Sequence, residues 1–181
     1  RQLTDGPGYD YQPDWSPDGK RVVYSSYRND ALELWILDVA TLKGEVLLAN
    51  GAVNLEPKWA PDGNRIAFVS TAYEGRFHIW TLQLGTRNSE PGTPVRLTPD
   101  VDSKLPRYYY SVFDHYLSPT WSPDGKQLIL VSNRGSIWGS GGLWRMEARP
   151  GAPLIPVRDE ETTWRARPDW ALDGRRVVYA S

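Results

Sequence analysis

Four times along the chain a tryptophan stands two residues after a proline and is followed, at a fixed offset, by Asp-Gly. The stretch W-S-P-D-G occupies 15–19 and returns unchanged at 121–125, with W-A-P-D-G at 59–63 and W-A-L-D-G at 170–174. The preceding prolines are Pro13, Pro57, Pro119 and Pro168. After each glycine comes a short apolar run ending on serine: RVVYSS at 21–26, RIAFVS at 65–70, QLILVS at 127–132 and RVVYAS at 176–181. Three copies continue into a second apolar segment with its own tryptophan: LWILD at 34–38, IWTLQ at 79–83 and LWRME at 143–147. A weaker third segment follows at 46–48, 95–98 and 154–157. Repetition of this kind constrains the fold more than composition does. Each unit is one supersecondary motif that cannot bury its apolar face alone, so neighbouring units must stack.

Every segment is short and rich in Val, Ile, Leu, Tyr, Phe or Trp, with Gly, Pro, Asn and Asp between segments, which is strand chemistry. No amphipathic helical period is evident. Ser-Pro-Asp-Gly spells a type I turn: proline pre-sets φ at the second position, and glycine closes the turn or takes the left-handed position beyond it. The turn therefore joins antiparallel strands. The strand before it contains proline and belongs at a sheet edge, where a missing N–H is tolerated. Each unit is then four antiparallel strands, with the Pro-x-Trp strand innermost. The motif tryptophans are spaced 44, 62 and 49 residues apart. Four-stranded units near that period predict an all-β, partial β-propeller. Its blades centre on Trp15, Trp59, Trp121 and Trp170, within one domain spanning 1–181, the last blade being truncated. Residues 1–4 (RQLT) match the end of the third segment at 95–98 (VRLT) and are a candidate outer strand for the fourth blade. Seven of the nine tryptophans fall in register with the repeat and are read as packing between blades.

The consensus P-x-W-S-P-D-G-[KR]-R-[VI]-x-[YF]-x-S, followed by [LI]-W-x-[LM]-[DE], resembles the repeat of TolB-like propellers, which are WD-repeat-like in shape. Leu172 departs from it in the fourth copy. The resemblance implies a fragment of a six- or seven-bladed propeller and a periplasmic or extracytoplasmic location. Propellers of this kind occur in TolB, in tricorn-type and prolyl-oligopeptidase-type peptidases, and ahead of some amidohydrolase domains. The stretches Y-Y-Y-S-V-F-D-H-Y-L-S-P-x-W, S-N-R-G-x-I-W-G-x-G-G-L-W-R-M and E-E-T-T-W-R-A-R-P-D-W also resemble the propeller region of bacterial amidohydrolase-containing proteins. The metal-binding histidines of that hydrolase have no counterpart here.

Strand direction alternates within a blade, so the repeated turns share one face and the unrepeated sequence falls on the other. Four stretches meet on that second face: residues 99–117, the glycine-rich 133–142, 161–167, and 27–31. Loops of one face on a rigid scaffold are where binding residues concentrate, and Tyr, Trp and Arg dominate binding hot spots. The candidate contacts are Tyr108, Tyr109, Tyr110, Phe113, Asp114, His115, Tyr116, Arg134, Trp138, Trp164 and Arg165. The competing reading is a lid whose aromatics pack inward, with the arginines solvated or salt-bridged.

The chemistry of catalysis is thin. The chain has two histidines and no cysteine, which excludes thiol nucleophiles, disulfides and thiolate metal sites. His78 sits in a repeat strand and reads as structural. Asp114 and His115 are adjacent and in an extended chain point to opposite sides, a poor dyad. Ser140 lacks the strand–turn–helix elbow of a serine nucleophile. Asp14 and Asp169, near the channel, are candidate cation ligands, but the equivalent positions are Lys58 and Thr120. No cofactor or metal is expected, and the fragment itself is expected to be non-catalytic. A net charge of −1 argues against a nucleic-acid partner, and no apolar run is long enough for a membrane-spanning helix. The partner called for is a protein or peptide bound through the loop face. The alternative is a catalytic domain of the same parent chain, a hydrolase whose substrate the propeller gates or which it docks.

Overall fold

The computed structural model describes residues 2–5, 8–28, 30–85, 91–105, 112–136, 141–158 and 166–180. These residues form strands and turns, with no helix among them. The first sheet runs β1 (Tyr9–Trp15), β2 (Arg21–Arg28), β3 (Ala31–Asp38), β4 (Gly44–Leu48), in that spatial order. The second runs β5 (Asn54–Trp59), β6 (Arg65–Tyr73), β7 (Arg76–Gln83), β8 (Val95–Arg96). The third runs β9 (Tyr116–Trp121), β10 (Gln127–Ser132), β11 (Gly142–Glu147), β12 (Ile155–Arg158). The fourth is the pair β13 (Asp169–Trp170) and β14 (Val177–Val178). All pairings are antiparallel. The Pro-x-Trp strands lie at sheet edges and neighbour one another in the order β1, β5, β9, β13, lining an axial channel.

The repeated turn builds itself from local bonds. Ser16 O accepts the N–H of Gly19 at 2.9 Å, and Gly19 sits at φ +68°, in the left-handed region. Asp18 accepts the Ser16 hydroxyl at 2.7 Å and the Lys20 N–H at 3.1 Å; these bonds hold its carboxyl below the usual range. Asp124 repeats the arrangement with Ser122 and Lys126. Leu172 leaves the turn intact: Gly174 still donates to Ala171 O at 2.9 Å. The N–H groups of Val39, Leu84 and Ala148 donate to the carbonyls of Lys20, Asn64 and Lys126. The ends of the third strands therefore share a face with the Asp-Gly turns.

Side-chain alternation along the second strands joins the blades. Val23 faces forward onto Ile66 and Phe68 of the next blade. Ala67 and Val69 face forward onto Leu128 and Leu130. Ile129 and Val131 face forward onto Val177 and Tyr179. Arg21 stacks over the Trp59 ring at 4.8 Å and Arg65 over Trp121 at 4.6 Å, so each arginine after the turn clasps the tryptophan of the following blade. Trp59 and Trp121 are each 6% exposed, whereas Trp15, with no blade behind it among the described residues, is 53% exposed. The expectation that the motif tryptophans pack between blades holds for Trp59 and Trp121 and, partly buried, for Trp170 against Ile129, Val131 and Leu143, while Trp15 has no blade behind it among the described residues. Residues 2–5 form no strand and do not join the fourth blade. Instead Leu3 packs on Val22, Tyr24 and Leu37 of the first.

Candidate binding site at the channel mouth

The residue immediately before each repeat proline is in the left-handed region: Gln12 at φ 50°, Glu56 at 51°, Ser118 at 50° and Arg167 at 35°. Proline bars the ordinary helical conformation to its predecessor and offers no N–H to the ladder. The strand responds with a bulge. Pairing slips between Tyr11 and Asp14, between Leu55 and Lys58, and opposite Ile129 and Val131 in the third blade. Each such residue costs on the order of 1–3 kcal/mol and persists only where neighbours over-determine it.

The neighbours are the adjoining blades. Glu56 N–H donates to Gln12 Oε1 at 3.0 Å, and Ser118 N–H donates to Glu56 Oε2 at 2.6 Å. The side chain of one bulge thus satisfies the backbone of the next. Two residues further along, Asp14 Oδ2 accepts the Trp59 N–H at 2.8 Å and Asp14 Oδ1 meets Lys58 Nζ at 3.3 Å. Burial pushes the Asp14 carboxyl above its usual range, while the Lys58 charge and the Trp59 N–H pull it back. Thr120 donates to Asp169 Oδ1 at 3.0 Å. The two carboxylates considered as cation ligands are therefore each engaged across a blade boundary.

Gln12, Glu56, Ser118 and Arg167, with the prolines that follow them, wall a cavity of about 310 Å³ in the channel. A second depression shares Gln12, Pro13 and Arg167 with it and runs outward past Tyr11, Tyr27, Leu32 and Leu55. Tyr27 lies near the end of β2 and Leu32 near the start of β3, so this groove emerges on the face opposite the Asp-Gly turns. The sequence reading missed this ring. Its signal was available: the position before the motif proline is polar in all four copies, although a different residue fills it each time.

The described part of the 99–117 connection lies on that same face and is packed. Arg76, at the start of β7, pairs with Glu74 at 2.8 Å and with Asp100, and lies over the Phe113 ring at 3.3 Å. Ser103 donates to both oxygens of the Asp114 carboxylate, at 2.7 and 2.9 Å. The His115 N–H donates to Asn133 Oδ1 at 2.8 Å, which brings residues 112–116 beside the 133–136 segment, and its ring meets Phe77 edge-on at 5.6 Å. Tyr116 opens β9, is fully buried, and stacks on His78 at 5.6 Å. Asp114, His115 and Tyr116, named from the sequence as candidate contacts, are buried side chains that fasten the connection to the blades. The Asp114 carboxylate is engaged by Ser103. Arg134 is half-buried, with its guanidinium 5.6 Å from the Trp144 ring. Tyr108, Tyr109, Tyr110, Trp138, Trp164 and Arg165 lie outside the described residues.

His78 is buried beneath this connection. Thr98 Oγ1 accepts the Ile79 N–H at 3.1 Å and lies 3.0 Å from His78 Nδ1. Burial, with the Arg96 charge, lowers the His78 pKa to about 4, so the ring is neutral near pH 7.

A family description, the TolB beta propeller domain, matches residues 1–98. The structure superposes on TolB from Acinetobacter baumannii with a TM-score of 0.74 at 21% identity, over 98% of this chain and 39% of that one. A protein assigned as TolB in Agrobacterium tumefaciens aligns at a TM-score of 0.68 and 22% identity, over 99% of this chain and 61% of that one. A puromycin-hydrolysing peptidase of Mycobacterium tuberculosis aligns at 0.63 and 16% identity, over 93% of this chain and 25% of that one. No curated protein matches the sequence. This chain thus spans less than two thirds of each of these solved structures, and three blades with part of a fourth are a segment of such a propeller. The chain belongs to the TolB β-propeller domain family.

Proposed function

We propose that this segment is a non-catalytic binding surface that engages a protein or peptide through the channel mouth and the loop face around it. One observation supports the reading above the others. A single position of the repeat carries Gln12, Glu56, Ser118 and Arg167, four different polar side chains in one strained conformation around one cavity. Where the scaffold needs only packing, the copies agree: Trp, Asp and Gly recur. Where they surround the cavity they diverge, as a surface shaped to an asymmetric ligand does. The outward groove adds the half-exposed rings of Tyr11 and Tyr27, side chains of the kind that anchor peptides. Tyr108, Tyr109, Tyr110, Trp138, Trp164 and Arg165, which lie outside the described residues, are included as contacts on their sequence pattern alone.

Selection of a short random-peptide library on the chain tests it. Enriched peptides should lose about tenfold in affinity on Tyr27→Ala and on Arg167→Ala, as hot-spot residues do. Peptides that bind both variants as well as the parent would sink the proposal. A second reading, an accessory segment that docks or screens for a larger hydrolase, draws on the likeness to the puromycin-hydrolysing peptidase and on a tricorn protease aligned at a TM-score of 0.59 over 13% of its chain. The full parent reading frame distinguishes the two.

A further inference from the structure

Asn50 and Gly51 form the only Asn-Gly pair in the chain. They lie in the connection from β4 to β5, between the first two blades and on the face opposite the Asp-Gly turns, and both are exposed. The Asn50 side chain turns back toward its own backbone. Its Oδ1 accepts the Ala52 N–H at 3.1 Å and an Asn54 Nδ2 hydrogen at 2.9 Å. Asn54 is fully buried and held from both blades: the Ser70 hydroxyl donates to its Oδ1 at 2.7 Å, and its Nδ2 also donates to Leu32 O at 3.0 Å. Two donors are thus fixed on the carbonyl oxygen of an exposed amide. The neighbouring nitrogen is accessible. The Gly51 N–H makes no hydrogen bond among the described residues, and Gly51, at φ +74°, has open space where a Cβ would stand.

The four repeat turns carry the acid form of the same pair and show the contrast. Gly19, Gly63, Gly125 and Gly174 each donate their N–H to the carbonyl three residues earlier, at 2.8–2.9 Å. Bonds within the turn hold the carboxyls of Asp18, Asp124 and Asp173 below the usual range, so near neutral pH these groups are carboxylates, which resist nucleophilic attack. The turns therefore engage the nitrogen and keep the carbon unreactive. At Asn50 and Gly51 the nitrogen is unengaged and the carbon belongs to a neutral amide.

We propose that Asn50 is a site of self-modification promoted by the fold, at which the Gly51 nitrogen attacks Asn50 Cγ and the side-chain amide leaves as ammonia. The nitrogen gives its proton to water or hydroxide and its electron pair forms the N–Cγ bond. The C=O pair moves onto Oδ1, where the Ala52 and Asn54 donors meet the developing charge. The pair then returns, the Cγ–Nδ2 bond breaks, and Nδ2 departs with a proton taken from water. The product is a cyclic imide. Water opens it at either carbonyl to give aspartate or isoaspartate, so that one amide and one water become a carboxylate and an ammonium ion. Either product adds a negative charge to the loop face. Isoaspartate also carries the main chain through Cβ and lengthens the connection between the first two blades by one atom.

Peptide mapping by mass spectrometry, after incubation of the folded chain in mildly alkaline buffer, tests this. A synthetic peptide of residues 44–58 in the same buffer is the unfolded reference. Conversion of Asn50 to aspartate and isoaspartate is expected, faster in the folded chain than in the peptide, while Asn54, Asn64 and Asn133 keep their amides. Asn50→Gln, which would have to close a larger ring, should show no conversion at this position. Ser70→Ala leaves Asn50, Gly51 and Asn54 in place but frees the Asn54 amide, and should slow the folded chain about tenfold, toward the rate of the peptide. Circular dichroism checks that each variant is folded. Slower conversion in the folded chain than in the peptide would overturn the proposal, and so would equal rates in the parent and Ser70→Ala.

Discussion

Glu56 Oε2 accepts the backbone N–H of Ser118 at 2.6 Å, across the boundary between the second and third blades. A charged side chain from one bulge thereby completes the hydrogen bonding of the next. The same residue is the receiver on its other side, where its own N–H reaches Gln12. Gln12, Glu56 and Ser118 form a relay along the channel, in which the strained backbones of Glu56 and Ser118 are each supported by the preceding blade.

Glu56→Ala should therefore cost about 1–3 kcal/mol, the penalty for leaving a part-buried N–H without its acceptor. Glu56→Gln keeps an acceptor oxygen in place and should cost less than about 1 kcal/mol. Urea unfolding of the pair measures the difference, and equal losses would show that the relay contributes nothing.

Arg65→Ala should destabilise more than Arg21→Ala. Both lose a stacked tryptophan, worth about 0.5–1 kcal/mol or more where water is excluded. Arg65 also loses its bond to Gly125 O and its pair with Asp62, adding on the order of 1 kcal/mol. The reverse order in denaturant midpoints would contradict the clasp as described.

Acid should weaken the fold through His78. Its folded pKa is lowered, chiefly by burial, to about 4 from an unfolded value of 6.5. The unfolded chain takes the proton first. The contribution is fully present above pH 6.5 and is lost as pH falls from there to about 4, amounting to about 3 kcal/mol. Arg96 and Arg76 act in the same direction as burial, and Asp100 acts against it. His78→Gln, which does not titrate, should flatten stability against pH across that window. Parallel curves for parent and variant would remove His78 as the source.

Tyr116→Ala should cost about 3–5 kcal/mol, as the loss of a fully buried aromatic does. Tyr27→Ala, on the half-exposed rim of the groove, should change thermal stability little while weakening any bound peptide. Severe destabilisation by both would assign the rim to packing alone.

Much of this architecture was legible in the residues. The Ser-Pro-Asp-Gly turn is closed by bonds spanning a few positions, so its sequence carries the geometry, and even Leu172 does not disturb it. The alternation of Val22, Val23 and Tyr24 assigns those side chains to opposite faces of a blade without reference to anything distant. Strand direction likewise places the 99–117 connection opposite the turns. Tertiary structure decided what lies between the blades. Trp15, Trp59 and Trp121 read alike, and the burial of Trp59 and Trp121 depends on the preceding blade whose arginine lies over each ring. Asp114, His115 and Tyr116 looked like contacts and became fastenings because Ser103, Asn133 and His78 come from other parts of the chain to meet them. The ring of left-handed residues was hidden for the same reason: Gln12 and Glu56, 44 residues apart, share a hydrogen bond that exists only once the blades are side by side. Local geometry follows from backbone sterics and turn chemistry, which are written residue by residue. The channel follows from contacts between blades, which no single stretch contains.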